Sequence, residues 1–150
     1  MKRRTQSSRR VGVLPYQLLQ EAVSAGWITA TRQFSDSQFQ PASIDLRLGT
    51  VAYQLRASFL PFHTAVQTRL KQNDFTDMDL VIDELSLVPA ATLQKGSVYL
   101  VQLMESLDLP RDVRARCNPK SSTGRLDVFT RVITDDRAHS HESPRFDEIK

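Results

Sequence analysis

The sequence predicts a mainly β protein, an all-β sandwich or distorted barrel, with one short helix added at its N-terminal end. Three observations point there. An apolar stripe of helical period is confined to residues 14–25; the pattern then changes to a period near two; and turn signals separate many short apolar runs. With 150 residues and a hydrophobic fraction of 40%, the chain is the size of one domain able to bury a core.

Residues 1–12 are expected to be a disordered basic tail, holding Lys2, Arg3, Arg4, Arg9 and Arg10, ahead of a domain over residues 13–150. Without those five of the twenty basic residues, fifteen face seventeen acidic ones, so the net charge of +3 becomes −2. A solvated tail on a near-neutral body, with no basic stripe interleaved with aromatics, gives no specific nucleic-acid surface, although it attracts polyanions weakly. In the helix, Pro15 suits a first helical position, Leu18, Leu19, Ala22 and Val23 form one stripe, and Gly26 is a natural stop. Residues 44–48 read as a strand with Ile44, Leu46 and Leu48 alternating against Asp45 and Arg47. Val51, Tyr53 and Leu55 then alternate against Ala52, Gln54 and Arg56. Residues 63–72 suggest a helical turn or two over Ala65, Val66 and Leu70, and residues 80–88 and 97–103 read as strands, the second after a Lys95-Gly96 turn and before the polar stretch Glu105 to Asp108. From Leu126 to Thr134 the alternation predicts a strand covered in part on both faces, where Asp127 and Arg131 pair or meet a partner; Asp135 to Lys150 read as loop and a strand cut short. No apolar run reaches the ~18 residues of a membrane span, no signal core follows the N-terminal charges, and the cytoplasm is the expected compartment.

Chemistry is concentrated in Pro119-Lys120-Ser121-Ser122-Thr123-Gly124-Arg125-Leu126. Two cations, three hydroxyls and a glycine suit an anion: Ser121 and Ser122 donate hydroxyl protons, Gly124 offers backbone freedom, and Lys120 and Arg125 bring charge. Basic Ser/Gly stretches are also plain surface turns, so composition alone leaves both readings open. A second motif, Gln40-Pro41-Ala42-Ser43-Ile44-Asp45-Leu46-Arg47-Leu48-Gly49, passes from loop into strand.

The two together resemble the first two motifs of the deoxyuridine triphosphatase and deoxycytidine triphosphate deaminase superfamily, the deaminase branch being the better fit. Arg56-Ala57-Ser58-Phe59-Leu60-Pro61 and the run Asn118 to Asp135 are similar to its long, two-repeat bacterial deaminases, so the likeness covers roughly residues 12 to 135. The resemblance implies a dUTPase-like jelly-roll or β-clip barrel assembled with three-fold or pseudo-three-fold symmetry, active sites lying between subunits. It also implies zinc-independent deamination of dCTP to dUTP and ammonia, with magnesium carried in by the triphosphate. Lys120 and Ser122 would contact the triphosphate, Ser121 and Arg125 would lie near the base and the attacking water, Gly124 would belong to the substrate loop, Thr134 would face the base, and Asp45 would order water or magnesium around the phosphates. Short deaminases usually carry arginine at the position of Lys120; lysine keeps the charge without the two-pronged grip. The glutamate that shuttles protons in this family is expected beyond Lys150, so the domain is expected to be incomplete at its C-terminal end.

Other readings stay open beside these. Asp45 can cap a turn or pair with Arg47, Arg125 can be an ordinary surface charge, Arg131 an interface charge, and His139 and His141 solvated loop residues. Cys117, the only cysteine, reads as a small buried side chain and rules out the paired-cysteine zinc site of cytidine deaminases. Asp83, Glu84, Glu105 and Asp108 form no assignable acid–base pair. A dUTP diphosphatase of the same superfamily and a non-catalytic nucleotide-binding module are the competing functions; no membrane partner is expected.

Overall fold

The computed structural model describes residues 11–60, 65–71 and 79–133. The basic tail over residues 1–10, Thr134, His139, His141 and the segment from Asp135 to Lys150 lie outside the described residues. The chain divides into two compact units, residues 11–48 with 103–110, and residues 49–102 with 111–133.

In the first unit, α1 (Tyr16–Ser24) follows Pro15, which sits at the N-cap rather than at the first helical position predicted for it. Its end has a physical cause. Gly26 takes φ 79, its N–H reaches the Val23 carbonyl at 3.0 Å, and the Trp27 N–H reaches Ala22 at 2.9 Å, the pair of bonds that satisfies orphan carbonyls when a left-handed residue stops a helix. The predicted stripe is the buried one: Leu19 and Ala22 join Ile28 in a core flanked by Leu14, Val23, Trp27, Phe34, Phe39 and Ile44. β1 (Ile28–Ala30) pairs antiparallel with β7 (Glu105–Leu107), setting Ala30 opposite Glu105. The stretch after residue 104, read as merely polar, is therefore a strand.

A 3₁₀ turn (Asp36–Gln38) leads into β2 (Phe39–Gln40), which pairs with β3 (Ser43–Ile44). The predicted continuous strand over residues 44–48 is broken at 45–47, because those backbone groups bond elsewhere. The Asp45 N–H goes to the Gln38 carbonyl at 2.8 Å, and the Arg47 N–H goes to the Glu105 carboxylate at 2.8 Å.

The second unit is built on a three-stranded sheet in the order β5-β4-β6, where β4 is Leu48–Leu55, β5 Val81–Ser86 and β6 Val98–Leu103. β4 and β5 run antiparallel from Val51 opposite Ser86 to Leu55 opposite Val81, with a bulge near the end. Ala52 and Leu55 are buried there. Gly96 turns the chain into β6 with φ 81, and α2 (Val66–Lys71) is the predicted helical turn. These elements match the expected sequence periods.

The predicted strand from Leu126 to Thr134 is not formed over its described residues. A third helix, α3 (Ser121–Arg125), precedes it, and Asp127 leaves that helix at φ 57. Leu126 is 77% exposed and Phe129 92% exposed, while Val132 and Ile133 are half-buried, so the partial cover expected of both faces begins only at the end of the described run. No Asp127–Arg131 ion pair forms among the described residues. Alternation supplies a strand with two faces; it does not supply the neighbouring strand that its amides need.

Gly49 marks the tightest approach in the sheet, since a Cβ there would stand 2.7 Å from the Gln102 carbonyl oxygen. Gly49→Ala should therefore destabilise the fold by about 1–3 kcal/mol, measured as a fall in the urea midpoint with an unchanged slope.

Candidate active site

The hydroxyl-rich motif folds as a short helix rather than the loop its composition suggests. Lys120 stands at the N-cap with extended angles, φ −62 and ψ 145, and its carbonyl accepts from the Thr123 and Gly124 N–H groups at 3.0 and 3.2 Å. At the other end, Asp127 N–H bonds to Gly124 at 3.0 Å and Val128 N–H to Thr123 at 3.3 Å, closing the helix as Gly26 closes α1. With Ser121 at the origin, ~100° per residue places Arg125 at about 40°, Ser122 at about 100° and Thr123 at about 200°. The first three therefore share a face, and all three are exposed; Thr123, pointing away, is half-buried. The motif thus turns two hydroxyls and a guanidinium to one side, beside the exposed Lys120.

Gly124 departs from expectation. Its φ is not in the left-handed region, and a Cβ there would meet nothing within 4 Å. Backbone freedom does not explain this glycine. Between Asp112 and Asp127 the sequence holds Arg114, Arg116, Lys120 and Arg125 and no carboxylate, a run that favours a bound anion. Cys117 is half-buried rather than buried, and burial pushes its thiol above the usual value.

The other motif lies in the first unit. Asp45 is half-buried, and Gln38 holds its peptide from both sides: the Gln38 carbonyl accepts the Asp45 N–H at 2.8 Å, and the Gln38 side-chain amide donates to the Asp45 carbonyl at 2.9 Å. The alternative pairing of Asp45 with Arg47 is not formed, because Arg47 is engaged elsewhere. Arg47 Nε donates to Glu105 Oε1 at 2.7 Å, Nη1 to the Gln33 carbonyl and Nη2 to the Arg32 carbonyl, each at 2.9 Å, and the guanidinium lies 5.6 Å from the Phe34 ring centre. Glu105, whose side chain is 1% exposed, also accepts from the Gln38 amide at 3.2 Å. Sequence reading missed Glu105 and Gln38. The one signal for Glu105 was a carboxylate set directly after the apolar pair Leu103-Met104.

The structure therefore brings Lys120, Ser121, Ser122, Gly124 and Arg125 together in the second unit and places Asp45 in the first. Among the described residues no three His, Cys, Asp or Glu side chains gather to hold a metal ion. Asp45 alone suits magnesium only as one ligand to an ion that keeps its waters and the substrate's phosphates.

Residues 10–150 match the family described as the N-terminal domain of 2'-deoxycytidine 5'-triphosphate deaminase. The chain belongs to that family. It is similar to a protein of Mycobacterium leprae named dCTP deaminase, dUMP-forming, with 31% identity over 97 residues, 65% of this chain and 47% of that one. The protein of the same name from Dictyoglomus turgidum is 33% identical over 93 residues, 61% of this chain and 44% of that one. The chain also resembles the crystal structure of 2'-deoxycytidine 5'-triphosphate deaminase from Agrobacterium tumefaciens, with a TM-score of 0.77 and 42% identity, covering 90% of this chain and 36% of that one. The chain thus spans less than half the length of these curated relatives. Its antiparallel sheets and few short helices are those of the dUTPase-like β fold. Among the described residues no helix is long and apolar enough to cross a membrane.

Two measurements follow from this geometry. Because glycine costs a helix about 1 kcal/mol relative to alanine and the site is open, Gly124→Ala should leave the thermal midpoint unchanged or raised. Desolvation favours the neutral thiol of Cys117, so its folded pKa lies above its unfolded one; that share of stability is present below the unfolded pKa and is lost as pH rises through the folded one. The pH–rate profile for iodoacetamide alkylation should lie to the alkaline side of that of the urea-unfolded chain.

Proposed function

We propose that this chain serves the hydrolytic deamination of dCTP, in which water adds at C4 of cytosine and ammonia departs, leaving dUTP. Membership of the deaminase family supports this reading, and the exposed face of α3 carries it to particular residues. Lys120 and Ser122 hold the triphosphate, the ammonium as a point charge and the hydroxyl as a donor. Ser121 and Arg125, neighbours across one helical turn, lie toward the base and the attacking water. Gly124 leaves room beside them for substrate, and Thr134 is assigned to contact with the base.

Attack at C4 needs a group that takes a proton from water and returns one to the leaving nitrogen. We assign this shuttle to a glutamate outside these 150 residues, acting without zinc. Asp45 orders water, or the magnesium that accompanies the triphosphate, whose charge offsets that of the phosphate oxygens. The site is completed between subunits of a three-fold or pseudo-three-fold assembly in the cytoplasm. The Agrobacterium tumefaciens protein, similar over 90% of the chain, is named for deamination of 2'-deoxycytidine 5'-triphosphate alone, which supports the deamination step. The names of the Mycobacterium leprae and Dictyoglomus turgidum relatives favour a second reading, in which dUMP is formed and pyrophosphate released.

Product analysis decides between these. The full-length protein, given dCTP and magnesium, should release ammonia with dUTP accumulating; dUMP and pyrophosphate in equal amounts would support the second reading, and no ammonia would refute both. Residues 1–150 alone should release none above background. In the full-length protein, Lys120→Ala should raise KM by about 10- to 100-fold, the worth of one hydrogen bond to a charged group, while Ser121→Ala should act mainly on kcat.

A further inference from the structure

The geometry points to Glu105 as a positioning residue for the first motif, acting through Gln38 and Arg47 to hold the Asp45 peptide in place. Its place in the fold is unusual for a carboxylate. It is buried at the start of β7 while the next two residues of that strand, Ser106 and Leu107, are exposed. A buried charge survives only with its lone pairs occupied, and here three donors arrive: Arg47 Nε and the Gln38 amide at Oε1, at 2.7 and 3.2 Å, and the Arg47 N–H at Oε2, at 2.8 Å.

Each donor leads back to the motif. Gln38 has one side-chain amide, and that group serves Glu105 and the Asp45 carbonyl together, while its Oε1 accepts from the Ser35 N–H at 3.0 Å. With its main-chain carbonyl bound to the Asp45 N–H, Gln38 fixes both sides of the residue that motif one presents. Arg47 is fixed two residues further on, at both its main-chain and side-chain nitrogens. The carboxylate thus orients Gln38, which is bonded to the Asp45 peptide on both sides, and anchors the chain at Arg47 just beyond it. Arg47, with every guanidinium nitrogen engaged, is a strut and leaves phosphate binding to the exposed cations.

Replacing the carboxylate by an amide keeps the shape and removes an acceptor. In Glu105→Gln the new NH₂ confronts either the Arg47 N–H or the donors at Oε1, and one contact is lost. The consequence for activity rests on the proposed role of Asp45 toward the nucleotide; the consequence for the backbone does not.

The test uses the full-length protein carrying Glu105→Gln, with Glu105→Asp, which keeps the charge on a side chain one methylene shorter, as the variant that secures folding. Amide hydrogen exchange at Asp45 and Arg47 should speed up at least tenfold in both, with the amides of Val51 to Leu55 in β4 unchanged. The kcat/KM for dCTP should fall at least tenfold, and adding either change to Asp45→Asn should bring no further loss. Unchanged exchange at Asp45 would overturn the inference. So would faster exchange throughout β4, or a loss in the double variant equal to the product of the two single losses, since either marks general destabilisation. Faster exchange at Asp45 with unaltered kcat/KM would overturn the positioning role and leave the reaction standing. Failure of the reaction itself is read separately, as absence of ammonia from the unmutated protein.

Discussion

Taking a carboxylate out of water costs several kcal/mol, and a single cation repays that only when geometry is good and the remaining lone pairs are satisfied. The Glu105–Arg47 pair meets both conditions, with the carboxylate 1% exposed and the guanidinium 26%. Against a well-packed hydrophobic substitute, such a pair is often neutral or worse in net stability, whereas losing one partner costs about 3–5 kcal/mol. What it supplies here is placement. Arg47 reaches the carbonyls of Arg32 and Gln33, Glu105 receives Gln38, and β7 pairs with β1, so the segment from β1 to Arg47 shares one charged centre with a strand that begins 58 residues beyond Arg47. The break in the strand at residues 45–47 is the visible consequence, since the amide that would continue the ladder is spent on the carboxylate.

Aromatic packing surrounds this centre. Phe39 stands edge-on to Tyr16 and tilted against Phe34, both at 5.9 Å between ring centres, and Phe34 lies beside the Arg47 guanidinium. Apolar neighbours raise the cost of an unsatisfied charge and strengthen a satisfied one. That also sorts the arginines of the two motifs. Arg47 is bound on every nitrogen, while Arg125 is exposed on the face of α3 that carries Ser121 and Ser122. The same residue type serves as a strut in one unit and faces solvent in the other.

What could be read from the sequence follows from how far each residue's partners lie. The stripe of α1, the runs of β4, β5 and β6, and the stops at Gly26 and Gly96 are local in cause, and periodicity or turn chemistry displays them. Two partners of Glu105 are 58 and 67 residues away, and no spacing rule reaches that distance. The same limit produced the strand expected from Leu126: its alternation is genuine, but helix closure takes the amides of Leu126, Asp127 and Val128, and no described strand pairs with it. The motif residues were legible because Lys120 to Arg125 are contiguous; Gly124 was legible as a motif member, but the backbone freedom expected of it is not used.

The helical form of the second motif bears on the chemistry more than its composition does. In an extended segment, consecutive serines point to opposite sides and only one could face a ligand. In α3 the ~100° step keeps Ser121 and Ser122 on the same exposed side, and the four-residue interval brings Arg125 between them in projection. Thr123, the third hydroxyl, turns away and is half-buried. A single turn of helix therefore converts a hydroxyl-rich run into an exposed surface with two hydroxyl donors and one planar cation.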